Sequence, residues 1–164
     1  MLDDDIEMCI RDSAKIMSLA EPTKKMSKSD TNLNSFVLMT DDKDTIIRKF
    51  KRAVTDSDGQ VRFDRENKPG VSNLMTIYSV FTGKTMEEIE AEFAGRGYGD
   101  FKMAVAEATA DALVPVQTEY ARILADKAYV DGVLRDGAER ASRIANRTVS
   151  KVYRKVGLLQ LDRG

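Results

Sequence analysis

The amino-acid sequence predicts a mainly α-helical fold, and three observations lead to that prediction. Apolar residues recur at helical spacing through most of residues 41–157. Capping residues precede several of these stretches, and glycines follow them. The chain contains neither an internal repeat nor a low-complexity tract. With 164 residues, 42% of them hydrophobic, it can bury a core in one domain or in two small ones.

Residues 1–40 have an irregular pattern. The stretch 19–30 contains Pro22 among many short polar residues, which is typical of an exposed loop. Residues 35–39 form a short apolar run, which fits either a strand or the segment leading into a helix. We therefore expect little regular structure before residue 41.

Three short helices are predicted between residues 41 and 94. The first follows a cluster of capping residues at positions 40–42 and ends in a turn at residues 55–59. Its apolar residues at helical spacing are Ile46, Ile47, Phe50 and Val54.

The second and third helices have clear boundaries. The second follows Pro69 and ends at Gly83. The third begins with a capping box formed by Thr85 and Glu88, and Gly95 interrupts it. The apolar residues of the second helix are Val71, Leu74, Met75, Tyr78 and Phe81.

Two long helices are predicted after residue 99. The first extends from about Asp100 towards Ala125, and Pro115 inside it should produce a kink. The second extends from about Asp136 to Val156 and ends at Gly157.

The composition excludes several classes of chemistry. The chain has no histidine, so it contains no Ser–His–Asp triad, no Cys–His pair and no histidine metal site. Its single cysteine, Cys9, excludes a disulfide framework and suits a reducing, cytoplasmic compartment. The formal net charge of −1 excludes a globally basic nucleic-acid binder, although not a basic face. No apolar run approaches the length that spans a bilayer, so we expect no membrane partner.

A basic loop at residues 24–29 is the first candidate site. It places three lysines and two serines within six residues. Lysine ammonium groups, serine hydroxyls and loop amides all suit the binding of phosphate oxygens. Physical chemistry alone still favours the simpler interpretation, a solvated charged loop.

The last helix carries the second candidate site, a stripe of cations on one face. Its members, which we call the basic stripe, are Arg140, Arg143, Arg147, Lys151 and Arg154. No acidic residue occurs between residues 140 and 161. The stripe fits either a solvated helix face or a surface that contacts nucleic-acid phosphates. Another face should pack inward, and its residues are Ala138, Ala141, Ala145, Val149, Val152 and Val156.

The basic loop also carries a family signature. Residues 25–29 spell KMSKS, the second signature of class I aminoacyl-tRNA synthetases, and we call this segment the KMSKS loop. Residues 14–30 as a whole closely resemble the same region of bacterial tryptophanyl-tRNA synthetases. Four further segments match in order, so the resemblance extends from Ala14 to about Leu158: residues 53–59, 68–74, 97–102 and 137–141.

The resemblance covers only the C-terminal part of that family. It implies a helical, anticodon-binding-type bundle preceded by the KMSKS loop remnant of a Rossmann-like catalytic domain. We expect the catalytic remnant at residues 14–40, the helical tRNA-binding domain at 41–158 and a tail at 159–164. The family's His-Ile-Gly-His-like motif and its tryptophan pocket are missing. We therefore do not expect this chain to catalyse the reaction alone.

Residues 1–13 do not match the family. Residues 8–13 read as the translation of a transposase end used in sequencing libraries, so we expect native sequence from about Ala14. An ordinary divergent N-terminus is the alternative.

The resemblance also implies the chemistry of the site. The family couples tryptophan to ATP to form tryptophanyl-adenylate and pyrophosphate, and then transfers tryptophan to tRNA-Trp. Lys25 and Lys28 match the catalytic lysines that meet the pyrophosphate. Ser27 and Ser29 match phosphate-binding positions. Mg²⁺ accompanies the ATP, but no residue here is identified as its ligand, and family members are usually homodimers. The complete ATP-binding set is Ile16, Lys25, Met26, Ser27, Lys28 and Ser29, in which Ile16 and Met26 line the adenine site.

Two alternatives stay open from the sequence. One is a standalone, non-catalytic module that binds tRNA and functions without the Rossmann core. The other is a helical interaction domain in which the KMSKS sequence is coincidental.

Overall fold

The computed structural model describes residues 15–158. Within that range the regular structure is helical, apart from one isolated antiparallel bridge between Met17 and Lys25. This confirms the mainly α fold. The helices of the described residues are α1 (Lys43–Lys51), α2 (Pro69–Thr82), α3 (Met86–Glu92), α4 (Tyr98–Ala125) and α5 (Lys127–Val156).

The chain divides into two compact units. The N-terminal unit extends to Gln117, and the C-terminal unit begins at Thr118. Helix α4 contributes residues to both units, and α5 lies wholly in the second. The core of the N-terminal unit combines the segment before α1 and the first turns of α2, which are buried on every side, with apolar side chains of α1, α3 and α4. Its most completely buried large side chains are Leu19, Ile46, Phe50, Leu74, Met75, Ile89 and Phe101.

Helix α1 begins where the sequence predicts and ends earlier. Asp42 caps its N-terminus, and its carboxylate accepts a hydrogen bond from the Thr45 amide at 2.7 Å. The helix ends at Lys51, so the expectation that Val54 belongs to its apolar face is wrong. The Val54 amide instead donates to the carbonyl oxygen of Leu19 at 2.8 Å, and the Val54 side chain is exposed. Pairing with a distant backbone segment therefore overrides the local helical period.

Both ends of α2 and the start of α3 lie where the sequence predicts, whereas α3 ends at Glu92, before Gly95. Pro69 occupies the first turn of α2, where a missing amide costs nothing, and Gly83 ends the helix with a φ of 73°. The capping box of α3 is present, because the Thr85 and Glu88 side chains each accept the other residue's amide.

The long helices confirm two elements and correct one boundary. Helix α4 contains Pro115 in its interior, and the kink expected there stays a prediction. Helix α5 begins at Lys127 rather than near Asp136. The reason is an N-cap at Asp126, whose carboxylate accepts a hydrogen bond from the Tyr129 amide at 3.0 Å. Gly157 ends α5 as predicted, with a φ of 74°.

The inward packing expected for α5 is wrong in this structure. None of its residues is buried, and its apolar side chains Val149, Val152 and Val156 are 42%, 49% and 61% exposed. Helical periodicity shows which face of a helix is apolar, but it cannot show whether another element covers that face. None of the helices in the described range has the length and apolar character needed to cross a membrane.

Candidate functional site

The base of the KMSKS loop is a short antiparallel pairing. Lys25 lies opposite Met17 in the isolated bridge. The Ser18 amide donates to the Lys24 carbonyl oxygen at 2.8 Å, and the Met26 amide donates to the Ile16 carbonyl oxygen at 3.1 Å. These two bonds flank the bridge and fix Lys25 in register with Met17.

The tip of the loop is a compact turn with its polar groups in solvent. The Ser29 amide donates to the Ser27 hydroxyl oxygen at 3.3 Å, and the Asp30 amide donates to the Ser27 carbonyl oxygen at 3.2 Å. Lys25 and Lys28 are both exposed. Such a loop presents cations and hydroxyl groups to an anionic ligand without first breaking internal contacts.

The three lysines of the basic loop differ in their partners. The Lys24 ammonium lies 2.8 Å from the carboxylate of Glu21. Over residues 15–158, neither Lys25 nor Lys28 forms an ion pair. Glu21 therefore neutralises Lys24 locally, whereas the other two charges stay available.

The two predicted adenine-lining residues lie together beside the core. Ile16 and Met26 are half-buried and line an apolar cavity of about 240 Å³. The neighbouring walls come from α1, α2 and α4, including Phe50, Ile77 and Leu113. The structure thus brings both residues to one apolar recess at the base of the KMSKS loop.

The loop is joined to the rest of the unit through Leu19. The Leu19 amide donates to the Ser35 carbonyl oxygen at 2.9 Å, and its carbonyl oxygen accepts from Val54. Gly70 in the first turn of α2 packs against the same region. A β-carbon at Gly70 would collide with the Val54 carbonyl oxygen and meet the Pro22 ring. This close approach requires glycine.

A buried ammonium group organises the starts of α2 and α4, and sequence analysis did not single it out. Lys68 is only 3% exposed. Its ammonium lies 3.2 Å from the Asp56 carboxylate and 3.1 Å from the Tyr98 hydroxyl, and it also binds Asp58. It donates to the Gln60 carbonyl oxygen at 3.2 Å as well. We call these five residues the Lys68 cluster.

The electrostatics of the Lys68 cluster favour its charged form. Burial opposes the charge of Lys68, but hydrogen bonds to Asp58, Tyr98 and Asp56 outweigh it and raise the pKa of the ammonium. The same bond from Lys68, with others from the Gln60 amide and Tyr98, lowers the pKa of Asp58. Burial and hydrogen bonds to the carboxylates raise the pKa of the Tyr98 hydroxyl. At neutral pH the cluster is a network of buried and half-buried charges that stabilise one another.

The basic stripe is accessible along its length. All five of its side chains are exposed on α5. At about 100° per residue they fall within an arc of about 80° of the helix. Among the described residues, Arg140 is the only member of the stripe with an acidic partner, and its guanidinium lies 3.4 Å from the Asp136 carboxylate. The stripe therefore presents a surface of one sign to solvent.

No candidate for a resident metal site emerges from the described range. No group of three or more acidic or cysteine side chains there is placed to hold a metal ion. The donors at the KMSKS loop are ammonium and hydroxyl groups, which suit anions rather than cations.

Comparisons with known proteins agree with this geometry. The family model for class I tRNA synthetases (W and Y) matches residues 7–114, so the match starts inside the segment expected to be foreign, which lies outside the described residues. The tryptophan–tRNA ligase of Bacillus anthracis is 52% identical over 145 residues, which cover 88% of this chain and 44% of the relative. The tryptophan–tRNA ligase of Bacillus subtilis is 48% identical over the same shares of both chains.

A solved structure gives the same result. The crystal structure of tryptophanyl-tRNA synthetase from Mycoplasma pneumoniae superimposes with a TM-score of 0.71 and 33% identity, covering 88% of this chain and 44% of that chain. The chain thus spans less than half the length of the relatives it matches, and the matching regions are C-terminal. By the family match over residues 7–114, the chain belongs to the class I tRNA synthetases for tryptophan and tyrosine.

Proposed function

We propose that the chain supplies the ATP-closing loop and the tRNA-binding helices of a tryptophan–tRNA ligase. The observation that carries this proposal is the KMSKS loop, in which Lys25 is held in register with Met17 beside an apolar recess. Among residues 15–158, neither Lys25 nor Lys28 has an ion-pair partner. Identity of about 50% to tryptophan–tRNA ligases, over 88% of the chain, supports the choice of tryptophan.

The loop lysines act on the first half of the reaction. The tryptophan carboxylate attacks the α-phosphorus of ATP, an O–P bond forms, and the bond to the leaving pyrophosphate breaks. Negative charge then accumulates on the pyrophosphate. Lys25 and Lys28 bind that charge more strongly in the transition state than in the ground state, which raises the rate.

The remaining residues of the loop bind the nucleotide. Ser27 and Ser29 donate hydrogen bonds to phosphate oxygens, while Ile16 and Met26 contact the adenine through apolar surface. Mg²⁺ arrives with the triphosphate as part of the substrate, and no group of ligands for it is present among residues 15–158.

The basic stripe serves the second half of the reaction. Its five cations contact the phosphate backbone of tRNA-Trp and so contribute affinity rather than base specificity. We place the 41–158 region in this role and expect a cytoplasmic homodimer as the working enzyme. A standalone tRNA-binding module is the second candidate, since the stripe alone would support it.

The loop lysines can be tested against their paired neighbour. Residues 15–158 replace the matching region of the Bacillus subtilis tryptophan–tRNA ligase, and tryptophan-dependent pyrophosphate exchange is measured. Lys25→Ala with Lys28→Ala should reduce the exchange rate by at least about 100-fold, because each loses a contact to the developing charge. Lys24→Ala is the matched control and should change the rate by less than about 3-fold, since Lys24 is already paired with Glu21. Equal rates for the two variants would overturn the role of the loop.

The stripe can be tested on the chain itself. Arg143→Glu with Arg147→Glu should weaken binding of a tRNA-Trp transcript and lower the slope of log affinity against log salt by about 2. Lys127→Glu with Arg135→Glu makes the same change of charge on other faces of α5 and is the control. If both pairs weaken binding equally, the effect is one of net charge and the stripe has no special role.

A further inference from the structure

Met17, the residue opposite Lys25, has a second partner on its other side. Since the bonds of residues 16 and 18 face the KMSKS loop, the amide and carbonyl of Met17 itself point away from it. The side chain of Asn73 on α2 meets both groups. Its Oδ1 accepts from the Met17 amide at 2.8 Å, and its Nδ2 donates to the Met17 carbonyl oxygen at 2.8 Å. The side-chain amide of Asn73 thus makes the two hydrogen bonds that a neighbouring strand would otherwise make with Met17.

The helix that carries Asn73 is fixed in place. Asn73 is 5% exposed and lies within the run 70–75, all of which is buried. Lys68 joins the start of α2 to Asp56, Asp58 and Tyr98, and Gly70 packs directly against Val54. The two bonds therefore tie the base of the loop to a rigid part of the core.

We propose that Asn73 is a positioning residue for the KMSKS loop, a role that rests on the function proposed for that loop. A slip of one residue in a paired strand turns every side chain to the opposite face, so the register of Met17 decides where the Lys25 ammonium points. Asparagine supplies one donor and one acceptor at the required length. Aspartate lacks the donor, and leucine, of similar shape, lacks both.

The structural part of the proposal is tested on this chain by amide hydrogen exchange. Asn73→Asp and Asn73→Leu should speed the exchange of the Ser18 and Met26 amides by at least about 10-fold relative to core amides such as that of Val105. Ser72→Ala is the control, because Ser72 is equally buried on α2 but accepts its hydrogen bond from Asp64. If one variant does not fold, the other carries the test. Exchange that rises in equal proportion at the bridge and in the core would overturn the proposal.

The functional part is tested in the full-length hybrid ligase. With rates normalised to titrated active sites, Asn73→Asp should lower kcat for pyrophosphate exchange about 10-fold and leave KM for tryptophan unchanged. A purely structural role would reduce the number of active sites and leave the normalised kcat intact. If Lys25→Ala with Lys28→Ala lowers the exchange rate while Asn73→Asp has a normal kcat, the positioning role is overturned. If Lys25→Ala with Lys28→Ala leaves the rate of pyrophosphate exchange unchanged, the proposed function is overturned, whatever the amide hydrogen exchange shows.

Discussion

The two units of the chain use the same helical pattern with opposite outcomes. In the N-terminal unit, Val105 on α4 is 0% exposed, whereas Val152 on α5 in the C-terminal unit is 49% exposed. Both valines belong to apolar faces at helical spacing. The difference is that side chains of α1, α2 and α3 share one buried cluster with the first part of α4, while no residue of α5 is buried. An amphipathic pattern is enough to predict a helix, but its apolar face is buried only where other elements pack against it.

The units also differ in charge. Residues 15–117 contain 15 basic and 16 acidic residues, a net charge of −1. Residues 118–158 contain nine basic and five acidic residues, a net charge of +4. The described residues therefore combine a nearly neutral N-terminal unit with a basic C-terminal unit, whose charge suits a polyanion.

The largest predicted effect contrasts the interiors of the two units. Phe101→Ala removes a ring that is 0% exposed and packs against Phe93 at 5.0 Å between centroids, so unfolding free energy should fall by about 3–5 kcal/mol. Val152→Ala should change it by less than about 0.5 kcal/mol. Chemical denaturation measures both. A large loss for Val152→Ala would show that a hidden contact covers α5 and would break the comparison.

The next effect contrasts a buried with an exposed ion pair. Lys68→Met leaves Asp56 and Asp58 without their shared cation and should cost about 2–3 kcal/mol. Lys84→Met removes the 2.8 Å pair with Glu92, in which the two side chains are 40% and 33% exposed, and the loss of stability should be much smaller because solvent screens this pair. Similar losses in denaturation experiments would mean that solvent reaches the Lys68 cluster.

A smaller effect compares one N-cap from each unit. Thr85→Ala breaks the capping box of α3, and Asp126→Ala removes the cap of α5; each should cost about 1 kcal/mol of helix stability. Because α3 is part of a core, the first change should lower the free energy of global unfolding. The second should appear as faster amide exchange in the first turn of α5. Global destabilisation by Asp126→Ala would show that the two units unfold together.

The smallest effect is on the pH dependence of stability. Lys68, the Gln60 amide and Tyr98 lower the pKa of Asp58 from 3.8, so the folded state releases this proton more readily than the unfolded chain. The resulting stability is present above about pH 4 and is lost as pH falls further. Asp58→Asn should therefore flatten the fall of Tm between about pH 4 and pH 2.

At alkaline pH, groups with raised pKa values make stability fall as the pH rises. Lys68 and Tyr98 both have raised pKa values, so their contribution is complete below about pH 10 and is lost as pH rises beyond it. Tyr98→Phe should flatten the fall of Tm at alkaline pH.

Glu119→Gln in the C-terminal unit is the comparison for Asp58→Asn at acid pH. Its pair with Arg122 lowers the pKa of Glu119, but both side chains are more than half exposed, and the change in slope should be smaller.

Capping residues and glycines correctly predicted several helix ends. The prediction was wrong at the end of α1, where the backbone pairs with a segment distant in sequence. The capping box at Thr85 and the stop at Gly83 act through neighbours in sequence, so they were readable directly. The early end of α1 depends on Leu19, which lies 35 residues before Val54 in the chain. The early start of α5 does have a local signal, because Asp126 is a capping residue, but the apolar period that predicts the helix begins later in the chain.

The candidate site divides in the same way. The KMSKS letters identify Lys25, Met26, Ser27, Lys28 and Ser29 from the sequence alone. Nothing local indicates that Asn73, 56 residues from Met17, holds the base of that loop. Its signal in the sequence is that it lies in residues 68–74, one of the segments that resemble the family, and this resemblance does not assign Asn73 a role.

By itself the sequence determined the helical class, most caps, the family and the charges that the chain can present. These follow from contacts within a few residues or from the identity of the side chains. Tertiary structure alone decided which lysine is buried and which face of a helix is covered. Lys25 and Lys68 have the same side chain, but Lys25 lies in open solvent whereas Lys68 is enclosed beside the carboxylates of Asp56 and Asp58. Burial and electrostatic environment are properties of what lies nearby in space, and the chain has to fold before those neighbours exist.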